Sequence, residues 1–147
     1  MRVSKRTRYG VRLILELALH YGKRPLSVSQ IAGLEDISAK FLSQIIIPLK
    51  GAGLIQATRG ARGGYELTRT PAEISVLDVF RALEGDCFLT ECLDDPAECR
   101  RSQSCVARNI WHDLSGVIEK KLTAITFGHL AEQARDLEQR QSPVYMI

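Results

Sequence analysis

Apolar residues in the first fifty positions recur at helical spacing. Val11, Leu13, Ile14, Leu15, Leu17, Ala18 and Leu19 are too many for one narrow stripe, which predicts a helix over 8–21 buried on more than one side. Gly22 and Pro25 end it. Ser27 followed by Gln30 is a capping-box pattern opening a short helix over 28–33. After the turn that carries Glu35 and Asp36, Ser38 caps a third helix whose apolar face is Phe41, Leu42, Ile45, Ile46 and Leu49. Pro48 falls in its last turns, where it removes one backbone bond and is expected to bend the end.

The pattern then shortens to strand length. Residues 53–58 and 65–68 read as two strands, joined by Arg59-Gly60-Ala61-Arg62-Gly63-Gly64, a basic glycine-rich turn. Ser75 and Asp78 open a helix that runs through Val79, Phe80 and Leu83 to Gly85. From Glu84 to His112 no helix or strand period survives, and the segment is expected to be a loop. The period returns in Trp111, Leu114, Ile118, Leu122 and Ile125, a helix with an apolar seam. Thr126, Phe127 and Leu130 begin a last short helix. From Glu132 onward the chain turns polar and is expected to fray, with Pro143–Ile147 as an apolar end able to dock.

Composition narrows the class. With 147 residues, 45% hydrophobic and 25% charged, the chain is long enough for one domain with a real core. The run Val11 to Leu19 is broken by Arg12 and Glu16 and is far short of the ~20 residues a membrane span needs. No segment reads as a signal peptide, so the expected location is the cytoplasm, without a membrane partner. Net charge is only +3, yet it is unevenly placed. Residues 1–12 carry Arg2, Lys5, Arg6, Arg8 and Arg12 and no acid, whereas 84–98 carry Glu84, Asp86, Glu91, Asp94, Asp95 and Glu98 and no base. The first stretch suits a polyanion and the second a cation.

Two helices joined by a tight turn, the second presenting Ser38, Ala39, Lys40, Ser43 and Gln44, match a helix-turn-helix, and a hairpin directly after it is the wing of a winged helix. In that arrangement Ser38, Lys40, Ser43 and Gln44 face the major groove. The wing places Arg59, Gly60 and Arg62 at the minor groove, where glycine lets the backbone come close to phosphates. Tyr9 joins the phosphate contacts. The expected fold is therefore mostly α, a winged helix-turn-helix with a two-stranded β-wing and a long C-terminal helix. Any small helical hairpin with incidental arginines would share parts of this pattern.

All four cysteines lie in the aperiodic stretch, spaced C-x4-C-x6-C-x5-C as Cys87, Cys92, Cys99 and Cys105. Cytoplasmic thiols stay reduced, which favours metal binding or redox sensing over structural disulfides. Zinc sites usually contain C-x2-4-C pairs, and only Cys87 with Cys92 fits. A metal-free thiol switch is a further alternative. No Walker-type glycine loop and no nucleophile with base and orienter is present, so an enzyme is not expected. A metal-binding carrier or interaction module that does not read DNA is the alternative of a different class, and the wing argues against it because a carrier has no need of Arg59 and Arg62 on a glycine turn.

A group of motifs together resembles the Rrf-two type of bacterial transcription regulators, the group that includes IscR, NsrR and CymR, in its cysteine-containing iron-sulfur branch. They are Arg8-Tyr9-Gly10, the helix from Ser38 with Phe41-Leu42 and Gln44, Pro48 to Leu54, Arg59 to Tyr65, Leu77-Asp78-Val79 through Gly85, the cysteine segment, and Trp111 to Leu114. The resemblance implies a homodimeric repressor or redox sensor that binds a double-stranded DNA operator and controls iron-sulfur or cysteine-related genes. It implies the seam helix as the dimer contact. It further implies an iron-sulfur cluster, 2Fe-2S in preference to 4Fe-4S, on Cys92, Cys99 and Cys105. The chain departs from the pattern twice. Six residues separate Cys92 from Cys99 where five are common, and Arg108 stands where the IscR branch has a histidine ligand. The fourth ligand is left open among Cys87, an acid such as Glu91, an exogenous thiol and a residue of the other subunit. His112, next to Trp111, reads as a surface or interface residue.

By this reading the chain divides into a winged-helix DNA-binding region (1–84), a cysteine cluster-binding loop (85–105), a dimerisation helix (106–130) and a C-terminal tail (131–147).

Overall fold

The computed structural model describes residues 2–142. Helix α1 (Lys5–Leu19) starts one turn before the apolar pattern does, because the Ser4 hydroxyl accepts the Thr7 N–H and caps it. It ends at Leu19, short of the expected 21, with His20 as its C-cap. Helix α2 (Val28–Glu35) has the Ser27–Gln30 capping box and runs two residues past Gly33, until Asp36 closes it in the left-handed region at φ 52°. Helix α3 (Ala39–Gly51) is capped by Ser38 and continues through Pro48 to Gly51. Its core face is Leu42, Ile45, Ile46 and Leu49, whereas Phe41 is half-buried against α1.

Strands β1 (Ile55–Thr58) and β2 (Gly64–Leu67) pair antiparallel with Ile55 opposite Leu67 and Thr58 opposite Gly64. Each departs from the expected bounds. Gly53, at φ 73°, belongs to the turn, and Gly64 has joined β2. Leu26 forms an isolated bridge to Tyr65, so the stretch before α2 is fastened to the hairpin. A side chain on Gly64 would collide with the Leu26 carbonyl, and one on Gly63 with the Thr58 carbonyl; both glycines are steric requirements of the wing.

Helix α4 (Val76–Glu84) has the Ser75–Asp78 capping box and crosses α1 at Gly10, where a side chain would run into Leu83. Beside this crossing Glu84 accepts from the Ser4 N–H at 3.0 Å and from the Thr7 hydroxyl at 2.5 Å, and Arg6 donates to the Leu83 carbonyl. Burial pushes the Glu84 carboxyl up, but the bonds from Ser4 and Thr7 together with Arg6 bring it below its ordinary value.

The stretch after Gly85 is not the unbroken loop its composition suggested. It contains a one-turn helix α5 (Glu91–Asp94) and a 3-10 turn, Pro96–Glu98, because Asp95 accepts the Ala97 N–H and Pro96 fixes the first position of that turn. Helix α6 (Val106–Ala124) follows, then α7 (Phe127–Gln141). The expected polar tail is thus helical to Gln141, held on α1 and on the 3-10 turn Pro71–Glu73 by Phe127 and Ala131, which lie in the same core as α1 and α3. The corner between α6 and α7 is stitched to the start of α4 by a Ser75–Thr126 bridge and by the Phe127 N–H donating to the Ile74 carbonyl. Pro143–Ile147, expected as a docking end, lies outside the described residues.

Candidate nucleic-acid interface and cysteine segment

Helix α3 presents a row opposite its core face. Lys40, Ser43 and Gln44 are exposed there, and Ser43 donates to the Ala39 carbonyl at 2.9 Å. Ser38 accepts the Phe41 N–H at 3.1 Å, which leaves its own hydroxyl hydrogen to donate outward. Ile47, absent from the expected site residues, is on the same exposed side and is 70% accessible. Its signal was available, since it lies three residues beyond Gln44 on a helix whose buried positions are already taken; Ile45 and Ile46 beside it made the run look uniformly apolar.

Arg59, Gly60 and Arg62 are exposed at the hairpin tip, and Gly60 has φ 112°, a conformation that favours glycine. Tyr9 is half-buried. Its ring stands edge-on to Phe41 at 5.7 Å, with Lys5 Nζ 5.7 Å and the Arg12 guanidinium 5.0 Å from its centroid. The contact places two cations at the junction of α1 and α3. Arg12 also reaches Glu35, whose side chain is buried at the end of α2, with Nε 2.6 Å from Oε2 in an ion contact rather than an aligned hydrogen bond. Burial raises the Glu35 carboxyl, and Arg12 offsets only part of that.

The four cysteines are free and half-buried. Among the described residues no three of His, Cys, Asp and Glu are gathered as a metal centre, so Cys92, Cys99 and Cys105 do not converge here. Their chemistry nevertheless fits a soft metal group: four unpaired thiols within one segment of nineteen residues are the donors an iron-sulfur cluster takes. Cys92 is held by its surroundings, with Thr90 Oγ1 3.3 Å from its sulfur and Arg108 Nε donating to its carbonyl at 3.1 Å. Arg108 therefore ties α5 to α6. Cys105 is the N-cap residue of α6 without a side-chain bond. Cys87 sits near Arg81, Glu119 and Asp86; burial raises its thiol first and the two acids add to that, against Arg81. Arg81 pairs with Glu119 and lies 3.5 Å from Asp86, which joins α4 to α6 beside Cys87. His112 is exposed, 3.6 Å from Asp113.

Helix α6 turns its apolar side outward. Val106, Ile110, Leu114 and Val117 are 78%, 53%, 44% and 63% accessible and Trp111 is exposed beside them, while the helix's one buried residue is Ser115. Ser115 Oγ takes the Leu89 N–H at 3.3 Å on the side that faces the chain's own body, and Ile118 and Leu122 of the expected seam follow it on that side, half-buried. No helix of the described residues is long and apolar enough to cross a membrane.

A capped helix-turn-helix followed by a glycine-arginine wing, with a long helix whose outer face is apolar, defines a winged-helix regulator of transcription. A family model described as "Rrf2: Iron-dependent Transcriptional regulator" matches residues 3–133, and the chain belongs to that family. It is 37% identical over 134 residues to Protein rrf2 of Nitratidesulfovibrio vulgaris, covering 91% of this chain and 89% of that one. Two solved structures share the fold. The global cysteine regulator CymR of B. subtilis superposes with TM-score 0.75 at 33% identity, covering 90% of this chain and 98% of that one. IscR of T. potens superposes with TM-score 0.74 at 34% identity, covering 97% and 93%. The chain is thus an IscR- and CymR-like regulator, in a family of regulators rather than enzymes.

Proposed function

We propose that the protein is a homodimeric, operator-binding regulator whose cysteine segment sets its DNA affinity through an iron-sulfur cluster. The observation that carries the dimer is the outward face of α6, which is apolar toward solvent. Four large aliphatic side chains on one side of a nineteen-residue helix are more than a monomer usually exposes in one place, and a two-fold copy of the same face would cover them. In this reading Ser38, Lys40, Ser43 and Gln44 meet the major groove, Arg59, Gly60 and Arg62 the minor groove, and Tyr9 the backbone beside them.

Cys92, Cys99 and Cys105 would hold the cluster, with Cys87 as a candidate fourth donor. When bound it would supply metal–thiolate bonds to a segment that has little apolar anchoring of its own. This chain's residues do the rest: Arg108 holds the Cys92 turn on α6, and Arg81 joins α4 to α6 next to Cys87. A metal-free thiol switch is the second reading, since the four thiols are free and share one segment. The likeness to CymR, described as a cysteine regulator, is in keeping with it.

Anaerobic reconstitution with iron and sulfide separates the two. Under the first reading the protein gains visible absorbance that is lost when Cys92, Cys99 and Cys105 are all replaced by Ala, and operator affinity changes roughly 5- to 150-fold with loading. No cysteine-dependent absorbance, together with an affinity that follows thiol oxidation, would replace the cluster by the switch. Val117→Asp, on the outward apolar face of α6, is expected to give a monomer by sedimentation; a dimer of unchanged stability would remove that face from the interface.

A further inference from the structure

We propose that Ile47 is a specificity-determining residue that reads the 5-methyl group of a pyrimidine, thymine in ordinary DNA, in the major groove. The proposal rests on the reading of α3 as the groove helix and goes beyond the polar residues assigned to it. A single exposed isoleucine on a protein surface is ordinary and by itself asks for no partner. Ile47 is set apart by its place.

With 3.6 residues per turn, Lys40, Gln44, Ile47 and Gly51 follow one another along one row of α3, at spacings of four, three and four. The core residues Leu42, Ile45, Ile46 and Leu49, all at or below 4% exposure, occupy the opposite side. Ile47 is therefore neither a core residue nor a boundary residue that a small rotation of the helix would bury. It is also the one large apolar side chain among the exposed positions of α3, which are otherwise Ala39, Lys40, Ser43, Gln44, Lys50 and Gly51.

The side chain has no donor or acceptor, so it cannot pair with a base edge or a phosphate. One feature of the major-groove pattern is apolar, the thymine methyl, and that is what an aliphatic group in the groove can recognise. Burying the two against each other removes apolar surface from water on both partners. The rise of an α-helix places Ile47 about 4.5 Å beyond Gln44 along the axis, and base pairs are stacked about 3.4 Å apart. The thymine is thus expected one or two base pairs from the pair that Gln44 contacts. An Ile47 lying over a phosphate instead would desolvate a charge without compensation.

The experiment uses the full chain and an operator enriched by it from a random duplex library. Each thymine of that operator is replaced singly by deoxyuridine, which removes only the methyl, and affinities are measured at one salt concentration for wild type, Ile47→Ala and Gln44→Ala. At one thymine near the Gln44 pair, deoxyuridine is expected to weaken wild type roughly three- to fivefold, the worth of one buried methyl-sized group. Ile47→Ala is expected to bind the thymine and deoxyuridine operators alike, and cytosine against 5-methylcytosine at the same position tells whether the methyl or the rest of thymine is read. A wild type indifferent to deoxyuridine everywhere, an Ile47→Ala that keeps the methyl preference, or a loss equal on operator and random DNA would each overturn the proposal. If no sequence is enriched, or Gln44→Ala leaves operator affinity unchanged, the reading of α3 as the groove helix falls, and Ile47 with it; a lost Gln44 contact with no methyl effect overturns Ile47 alone.

Discussion

The winged helix and the cysteine segment are organised on opposite principles. In the first, caps and packing agree: Ser27, Ser38 and Ser75 each close a helix start, and the helices they open bury Ile31, Leu42, Ile45, Leu49 and Val79 in one core. In the segment after Gly85, Leu93 is the one buried apolar side chain, and its turns rest on Asp95, Thr90 and Arg108. Agreement across levels gives a reader whose shape depends little on conditions. A segment with little apolar burial instead takes its shape from whatever its polar groups and thiols bind. The two lie next to each other because α4 ends at the first and enters the second.

The largest effects should come from comparing one core side chain on each side. Phe127→Ala is expected to cost about 3–5 kcal/mol in urea unfolding, and Leu93→Ala about 2 kcal/mol or less because the thin segment can close around the space. Equal losses would mean that the segment is as firmly packed as the core. A smaller effect is expected at the boundary itself. Glu84 has a folded pKa below its ordinary 4.5, so its bonds to Ser4 and Thr7 stabilise the fold fully above that value and are lost as pH falls through the lower folded value. Glu84→Gln should cost about 1 kcal/mol at neutral pH, discounted for solvent exposure, and converge with wild type in acid. A cost that persists unchanged at low pH would assign the residue to packing rather than charge. The smallest effect is chemical rather than thermodynamic. Glu119→Gln takes one acid from beside Cys87 and frees Arg81, so Cys87 should alkylate faster at neutral pH, as followed by mass spectrometry. An unchanged rate would remove Glu119 from the groups that control that thiol.

The same division governed what could be read in advance. Three helix starts and the wing were legible because their signals are local: a capping serine, a Gln or Asp three residues on, glycines where no side chain fits. The exposure of Lys40, Gln44, Arg59 and Arg62 follows from the same periodicity. Helix α7 was missed beyond its first turn because its sequence after Glu132 is polar and its anchoring uses Phe127 and Ala131 on a helix more than a hundred residues earlier. Tyr9 against Phe41 likewise depends on how α1 crosses α3, which no local pattern carries. Of the expected α6 seam, Trp111 and Leu114 are exposed, whereas Ile118, Leu122 and Ile125 are half-buried, and Val106, Ile110 and Val117 were not included; a helical period fixes a face without saying which face meets the chain's own body, and the buried Ser115 decides that. Spacing put the four thiols in one segment and could not say how they are arranged in space.

The stitch between Ser75 and Thr126, with Phe127 set into the core, also orders events during synthesis. Chain is made at about 5–20 residues per second, so Phe127 follows Ser75 off the ribosome's catalytic centre by roughly 3 to 10 s. Until then the DNA-reading half lacks one of its fully buried side chains, and the helix with the outward apolar face has already been made. The outward apolar face, Val106 to Val117, is made only about 0.5–4 s before Phe127, so the surface left open and the side chain that closes the core arrive almost together.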